Sequence, residues 1–424
     1  MAGTFRSLKI YNYRLWAGGA IVSNIGTWMQ RTAQDWIVLT QLTHNNATAV
    51  GIVMALQFGP QVVLMPLTGY AADHFDRRKL IIITQTLMGL LALGLGILTV
   101  TGLVTLWEVY LFAGLLGCVT AFDAPARQTF VSELVGEAEL SNAVGLNSAS
   151  FNAARLIGPA ISGILIGAVD TGPVFLINAA SFLAVIASLM FLRVDALHRP
   201  KLKEGIRGGF AGGIGYAWRR SEIRSILIML WLIGTFGINF AVFISTMSVT
   251  VFHVGAEKFG LLASIMAIGS VSGALMSAKR QKPRMTILVF AAAIFGAGLT
   301  LASVMPDYWL FGLALILVGG SVQTFTTTAI STVQMTTDPA MRGRVMALLL
   351  GVALGGTPLG APVMGWIADT FGARWAVAAG ASSGFAAVMV GVGYLVKYRR
   401  LRLRFDAGRL RFSIEDTAAP QPAE

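Results

Sequence analysis

The stretch Gly69-Tyr-Ala-Ala-Asp73-His-Phe-Asp76-Arg77-Arg78-Lys79-Leu80 decides the fold. It is a short, strongly charged turn between two long apolar runs, roughly 48–72 and 80–100. Each run is long enough to cross a bilayer, which takes ~20 apolar residues. One carboxylate ends the first run and three cations precede the second. That is the composition of a tight turn held on the cytoplasmic side. Asp73 is left to meet a helix N-terminus or an arginine.

The chain has 424 residues, 55% hydrophobic and only 12% charged. A soluble fold of this length needs more polar surface, so the bilayer is the expected solvent. Cys118 is the single cysteine, which excludes an intrachain disulfide and a cysteine-cluster metal site. No cleavable signal peptide is expected, because the first apolar run is long, carries polar residues and lacks a small-residue cleavage site. Twelve spans are read at 14–41, 48–72, 78–101, 105–123, 139–169, 172–193, 222–252, 257–278, 284–304, 308–334, 341–369 and 373–396. With the N-terminus inside, all but four of the 32 Lys and Arg fall in cytoplasmic segments; the exceptions are Arg31, Arg155, Lys258 and Arg374. The net charge of +12 is therefore a topology signal that puts both termini in the cytoplasm. It is not a nucleic-acid footprint, and no nucleic-acid partner is expected.

The longest polar interruption, 193–222, divides the spans into two sets of six. The expected organisation is an N-terminal six-helix bundle (1–193), a cytoplasmic linker (194–221), a C-terminal six-helix bundle (222–397) and a tail (398–424) that is basic and then disordered. The halves are related at an offset of 199 residues: Gly158-Pro159 matches Thr357-Pro358, Asp170-Thr171 matches Asp369-Thr370, Ser132 matches Ser331 and Thr129 matches Thr328. A parallel repeat of this kind places a substrate cavity between the halves at mid-membrane. The second copy of the charged turn, 269–284, keeps its cations but has Ser277 where an acid is expected. If the acid matters, it acts in the first half only.

Polar side chains within lipid are costly and face a cavity or another helix. In the first span Ser23, Asn24, Thr27, Gln30, Arg31, Gln34 and Asp35 recur at three- and four-residue steps and share one helix face. Arg31 and Asp35 are four apart, so they can form a structural ion pair along the helix. The length of the polar stripe favours a cavity-facing role. Asp35 is the candidate proton carrier, because burial and the Arg31 charge act on its protonation in opposite senses. Glu108 and Asp123, at the outer and inner ends of the fourth span, are weaker rivals as proton carriers and read as interfacial helix-end residues. The fifth span carries Asn142, Asn147, Ser148, Ser150, Asn152 and Arg155 ahead of Gly158-Pro159-Ala-Ile-Ser162-Gly163. The tenth contributes Gln323, Thr324, Thr326, Thr327, Thr328, Ser331, Thr332 and Gln334, which can bond a ligand or their own helix.

With these residues placed, the chain resembles the major facilitator superfamily. The 69–80 stretch resembles that family's loop between helices 2 and 3, G-x-x-x-D-[RK]-x-G-[RK]-[RK], with His74 in place of a cation and Asp76 in place of a glycine. The resemblance implies a gating motif of Gly69, Asp73, Arg77, Arg78 and Lys79, with Arg342 beside the N-terminus of the eleventh span. Gly158, Pro159 and Gly163 resemble the helix-5 motif of its antiporters. Further likeness lies in Asn24-Ile-Gly-Thr-Trp-Met-Gln30-Arg31, Gln57-Phe-Gly-Pro60, Phe122-Asp123-Ala-Pro125-Ala-Arg127-Gln128, Leu140-Ser-Asn142-Ala-Val-Gly-Leu-Asn147, Arg342-Gly343-Arg344-Val345-Met346 and Pro358-Leu-Gly360. These are similar to the branch with enterobactin-type siderophore exporters and related bacterial drug and macrolide efflux proteins. Many proton-driven drug exporters have an arginine in helix 4, about four residues before a glycine. Here Ala113 precedes Gly117, so Arg31 or Arg155 substitutes, or the coupling differs.

The resemblance implies an all-α integral membrane protein of twelve transmembrane helices in two pseudo-symmetric bundles. The expected activity is export of an amphiphilic small molecule, drug or siderophore-like, by proton antiport with alternating access. The alternatives are an importer or lipid flippase on the same fold, or a non-transporting membrane receptor or scaffold. An enzyme is not expected: His44, His74, His198 and His253 lie in different segments, and there is no catalytic or metal cluster. No nucleotide loop is present, so the proton gradient, and no cofactor, is the expected driving force. Substrate-binding and coupling candidates are Asn24, Thr27, Arg31, Gln34, Asp35, Gln57, Asn147, Arg155, Gln323 and Gln334. The partners are a small-molecule substrate, protons and the lipid bilayer. The protein is expected to be a monomer, multi-pass in the bacterial cytoplasmic membrane.

Overall fold

The computed structural model describes residues 5–198, 210–278, 283–339, 341–399, 402–406 and 409–413. Helix α1 is Tyr11–Ile37 and continues as a π-helical turn over Val38–Leu42. The second apolar run is two helices, α2 Ala47–Val63 and α3 Met65–His74. Pro66 lacks the N–H that a continuous helix would direct at Val62, and the chain breaks at Leu64. Helix α4, Arg77–Val100, is N-capped by Asp76, whose carboxylate accepts from Lys79 N at 3.0 Å. This explains the acid where the family motif has glycine: the position starts a helix.

Helix α5, Leu106–Val169, runs 64 residues and opens with a capping box between Thr105 and Glu108. Glu108 is thus the helix-end residue expected of it. The sequence suggests a connection between spans ending at 123 and starting at 139, yet 124–138 are helical. Ala126, Phe130 and Leu134 lie at four-residue steps and are fully buried against Tyr13 and Trp16, so the connecting turns have a core to bury into. The one break is Gly136, at φ +70, a conformation that L side chains avoid. Asp170, also at positive φ, ends α5 and caps α6, Thr171–Met190.

After a short helix α7, Phe210–Arg219, come α8 Ser221–Leu232, a π-helical turn at Ile233–Gly237, α9 Phe240–Thr246 and a second π-helical turn at Met247–Val251. Helices α10 Ala256–Ala278, α11 Met285–Val304, α12 Tyr308–Thr336, α13 Arg342–Phe371 and α14 Ala373–Arg399 complete the bundle. The tail, expected to be basic and then disordered, forms a hairpin of β1 Arg402–Asp406 and β2 Arg409–Ser413, with Arg404 opposite Arg411. Residues 414–424, and the linker over 199–209, lie outside the described residues. Among the described residues, nine helical segments are long and apolar enough to cross a membrane. The protein is an all-helical, multi-pass membrane protein apart from that hairpin.

The helices form two groups. In the first, α1 packs on α5 and α6, and α4 on the same two; in the second, α10 packs on α12, and α11 on α12 and α14. The groups meet where α2 lies along α13 and α5 along α10. Closest approach is at the end away from the chain termini. A Cβ at Gly163 would come within 2.5 Å of Ala256 O, and one at Gly260 would collide with Pro159 O. Pro159 and Gly163 therefore lie at a seam between the halves, while Gly158 packs on Trp28 and Ile25 of α1. Trp36 stacks on Phe259 across the same seam, with ring centroids 5.6 Å apart. At the terminal end a Cβ added at Gly145 or Gly343 would meet no packed neighbour within 4 Å, and Val144 and Phe151 are exposed. The halves are in close contact at the far end. Gly163→Val puts a side chain against α10 backbone, which cannot yield as a side-chain tip can. We expect it to prevent far-end closure, read as faster thiol labelling of a cysteine placed at Ala256 in a Cys118→Ser background; unchanged labelling would exclude this role for the seam.

Candidate functional site

The polar stripe of α1 faces into the first group, and most of it is bonded to neighbouring helices. Ser23 Oγ donates to Gln85 Oε1 of α4 at 3.5 Å. Asn24 accepts from Arg127 of α5 at 3.3 Å. Gln30 accepts from Asn178 of α6 at 2.5 Å, and Gln34 accepts from Gln57 of α2 at 3.1 Å. Thr27 donates back to Ser23 O at 2.8 Å. These bonds satisfy groups that lipid would leave orphaned, and they are the structural share of the stripe.

Arg31 and Asp35 are the remainder. The ion pair allowed by their spacing is not formed: no Arg31–Asp35 approach falls within 4.0 Å. A helical side chain leans toward the N-terminus of its helix. The long Arg31 stem therefore carries its guanidinium back over Trp28, 5.1 Å from the ring centroid, and over Phe58 of α2 at 5.4 Å. Arg155 of α5 sits over the same Trp28 ring at 5.7 Å. Phe151 meets that ring edge-on at 5.8 Å. Two cations thus share one indole, with a buried carboxylate a helical turn away.

The second group offers less. Gln323 bonds Thr327 of its own helix at 3.2 Å. Thr326, Thr328 and Thr332 each bond the carbonyl four residues back. Gln334 is exposed near the terminal end and is not brought to the site. Asn147 is half-buried on the terminal half of α5. In the charged turn, Arg77 pairs with Glu133 of α5 at 2.7 Å and Arg78 Nε donates to Leu189 O at 2.9 Å, the C-terminal turn of α6. Lys79 and Arg342 are exposed. The backbone of Gly69 and Asp73 lies in α3, which packs on α5; the Asp73 side chain lies outside the described residues.

Two features were missed or misplaced by the sequence reading. Asp123, read as interfacial, is 4% exposed. It accepts from Thr84 Oγ1 at 2.6 Å and Gln85 Nε2 at 2.9 Å, with Arg127 3.7 Å away. The signal was the polar pair Thr84-Gln85 inside an apolar span. Asp369 crosses the seam: one carboxylate oxygen accepts from Ala47 N at 2.7 Å, the other from Thr48 N at 2.8 Å and Thr48 Oγ1 at 2.5 Å. It caps α2 from the opposite half.

The transmembrane secretion effector family (MFS_3) matches over residues 2–405. The chain belongs to this family. It is 28% identical to the staphyloferrin A transporter of Staphylococcus aureus (strain NCTC 8325 / PS 47), across 82% of this chain and 87% of that one. It is 25% identical to the multidrug efflux pump Tap of Mycolicibacterium fortuitum, across 83% and 88%. The crystal structure of a mutant of the nucleoside transporter NupG has the same fold, with a TM-score of 0.72, 14% identity and coverage of 92% and 99%. This MFS_3 protein is a transporter of small molecules.

Proposed function

We propose that this MFS_3 protein is a twelve-span secondary exporter of an amphiphilic small molecule, drug or siderophore-like, driven by proton antiport. The twelve spans follow when α5 is counted as two around Gly136, and when α1 and the α2–α3 pair join the nine apolar segments. Both termini are cytoplasmic by the distribution of Lys and Arg. The protein is then a monomer in the bacterial inner membrane, with bundles at 1–193 and 222–397. The close contact at the far end supports reading this state as the inward-open one of an alternating-access cycle.

The observation that carries the reading is the pair Arg31 and Asp35, left out of the hydrogen bonds that absorb the rest of the stripe. A carboxylate with a guanidinium one turn away, and no bond to it, changes its proton affinity as that guanidinium moves. Arg31, Trp28 and Arg155 form the wall that meets substrate, and Asp35 carries the proton. The names of the staphyloferrin A transporter and the Tap efflux pump support export of siderophore-like or drug-like molecules. Purified protein in liposomes should accumulate substrate uphill when a pH gradient is imposed, lose this with a protonophore, and be indifferent to ATP. Full transport with no ion gradient would overturn the reading.

A further inference from the structure

Resting on that proton-driven reading, we propose that protons cross the N-terminal half from Asp35 through a small cavity to Asp123. The cavity lies within the first helix group, lined by Thr27, Gln30, Arg31, Gln57, Thr120 and Asn178 among others. Its volume of about 40 Å³ has room for one or two waters and is far below the ~300 Å³ at which small-molecule sites begin. The space is sized for water, and Met88, Leu116 and Phe182 line it beside the polar groups. Among the described residues Gln34 Nε2 is buried without a hydrogen-bond partner, while the oxygen of the same amide is held by the cavity-lining Gln57.

A carboxylate stands beyond each end of this space. Asp35 is one turn past Arg31 on α1. Asp123 is one turn past Thr120 on α5 and is already bonded to the Thr84 hydroxyl. Thr27 lies one turn from Ser23, which bonds Gln85, which bonds Asp123. Amides and guanidinium groups only orient the waters; hydroxyls, water and carboxylates can each take up one proton and give up another. Protonated Asp35 gives its proton to cavity water, each hydroxyl or water in the chain passes one on, and Asp123 accepts it. The pairing with Arg127 is then lost and the proton leaves at the terminal end. Only O–H bonds change, and no other reactant is needed. The opposite half has no such stations: 225–256, 259–278, 285–306, 308–337, 345–368 and 375–396 contain no Asp, Glu, Lys or Arg.

The test uses the full chain in liposomes, with ethidium, a macrolide and enterobactin as probes. Each is measured for uphill accumulation under a pH gradient and for exchange at zero gradient. Asp123→Asn should lower uphill accumulation at least tenfold and keep exchange within twofold of wild type, and Asp123→Glu should restore uphill transport. Thr120→Val should show the same selective loss without touching a charged group. Normal uphill transport in Asp123→Asn and Thr120→Val would overturn the route. So would a parallel loss of exchange and uphill transport that Asp123→Glu does not relieve, since that is the behaviour of a structural hub. A wild type that moves none of the three probes with the gradient would instead overturn the proton-driven reading itself.

Discussion

Asp369→Ala should open the far end. In the state described here Asp369 supplies three hydrogen bonds to the first turn of α2, all of them between halves. Among the described residues no other side chain is bonded to Ala47 N or Thr48 N, so alanine leaves two helix N-terminal donors at the seam to water. Loss of a carboxylate cap costs about 0.5–2 kcal/mol. In a two-state equilibrium that is roughly a 2- to 30-fold shift in population. The direction is fixed, because the bonds exist only when the far end is shut. Spin labels on α2 and α13 near Thr48 and Trp366 should report a longer distance in Asp369→Ala, with Asp369→Asn intermediate because one acceptor remains. Identical distance distributions in wild type and Asp369→Ala would remove the latch from the account.

This latch answers one expected on the other side. The sequence places Asp73 near the C-terminus of the second span, aimed at the start of the eleventh. The structure places Asp369 near the C-terminus of α13, bonded to the start of α2. The two helices are antiparallel, so the C-terminal end of α13 lies beside the N-terminal end of α2. The offset of 199 residues pairs Asp369 with Asp170 and gave no hint of this. Asp170 is instead held by Gln41 at 2.7 Å within its own half. The repeat is legible in sequence, whereas which copy bridges the halves depends on how the bundles sit together.

The all-helical, membrane-spanning character and the polar face of α1 were legible because hydropathy and a 3.6-residue period are local properties. The helical run through 124–138 was not, since it depends on Tyr13 and Trp16 arriving from another helix. The failed Arg31–Asp35 pair has a local cause that spacing does not reveal: both side chains lean toward the N-terminus, and Arg31 finds two aromatic faces there. The terminal hairpin did leave a trace. Arg-Leu-Arg-Phe occurs at 402–405 and again at 409–412, around Asp406-Ala-Gly408, which is the alternation and turn chemistry of paired strands. Asp123 was undervalued because its position at a span end suggested solvent, while its partners on α4 enclose it.

Asp35→Asn is expected to abolish gradient-driven accumulation. The substitution keeps the shape of the side chain and removes the exchangeable proton. Among the described residues Asp35 has no hydrogen bond or ion pair to lose, so expression and Tm should stay near wild type. A structural ion pair predicts otherwise: either single neutralisation would chiefly lower Tm, and exchanging Arg31 with Asp35 would restore function. Arg31→Ala should instead change which substrates are moved, because its guanidinium forms the wall with Trp28 and Arg155. The most direct measurement is counterflow in liposomes, which needs binding and conformational change but no net proton movement, run beside uphill transport in the same Asp35→Asn preparation. Proton coupling through Asp35 predicts that exchange persists while uphill transport falls to background; normal uphill transport in Asp35→Asn would contradict it.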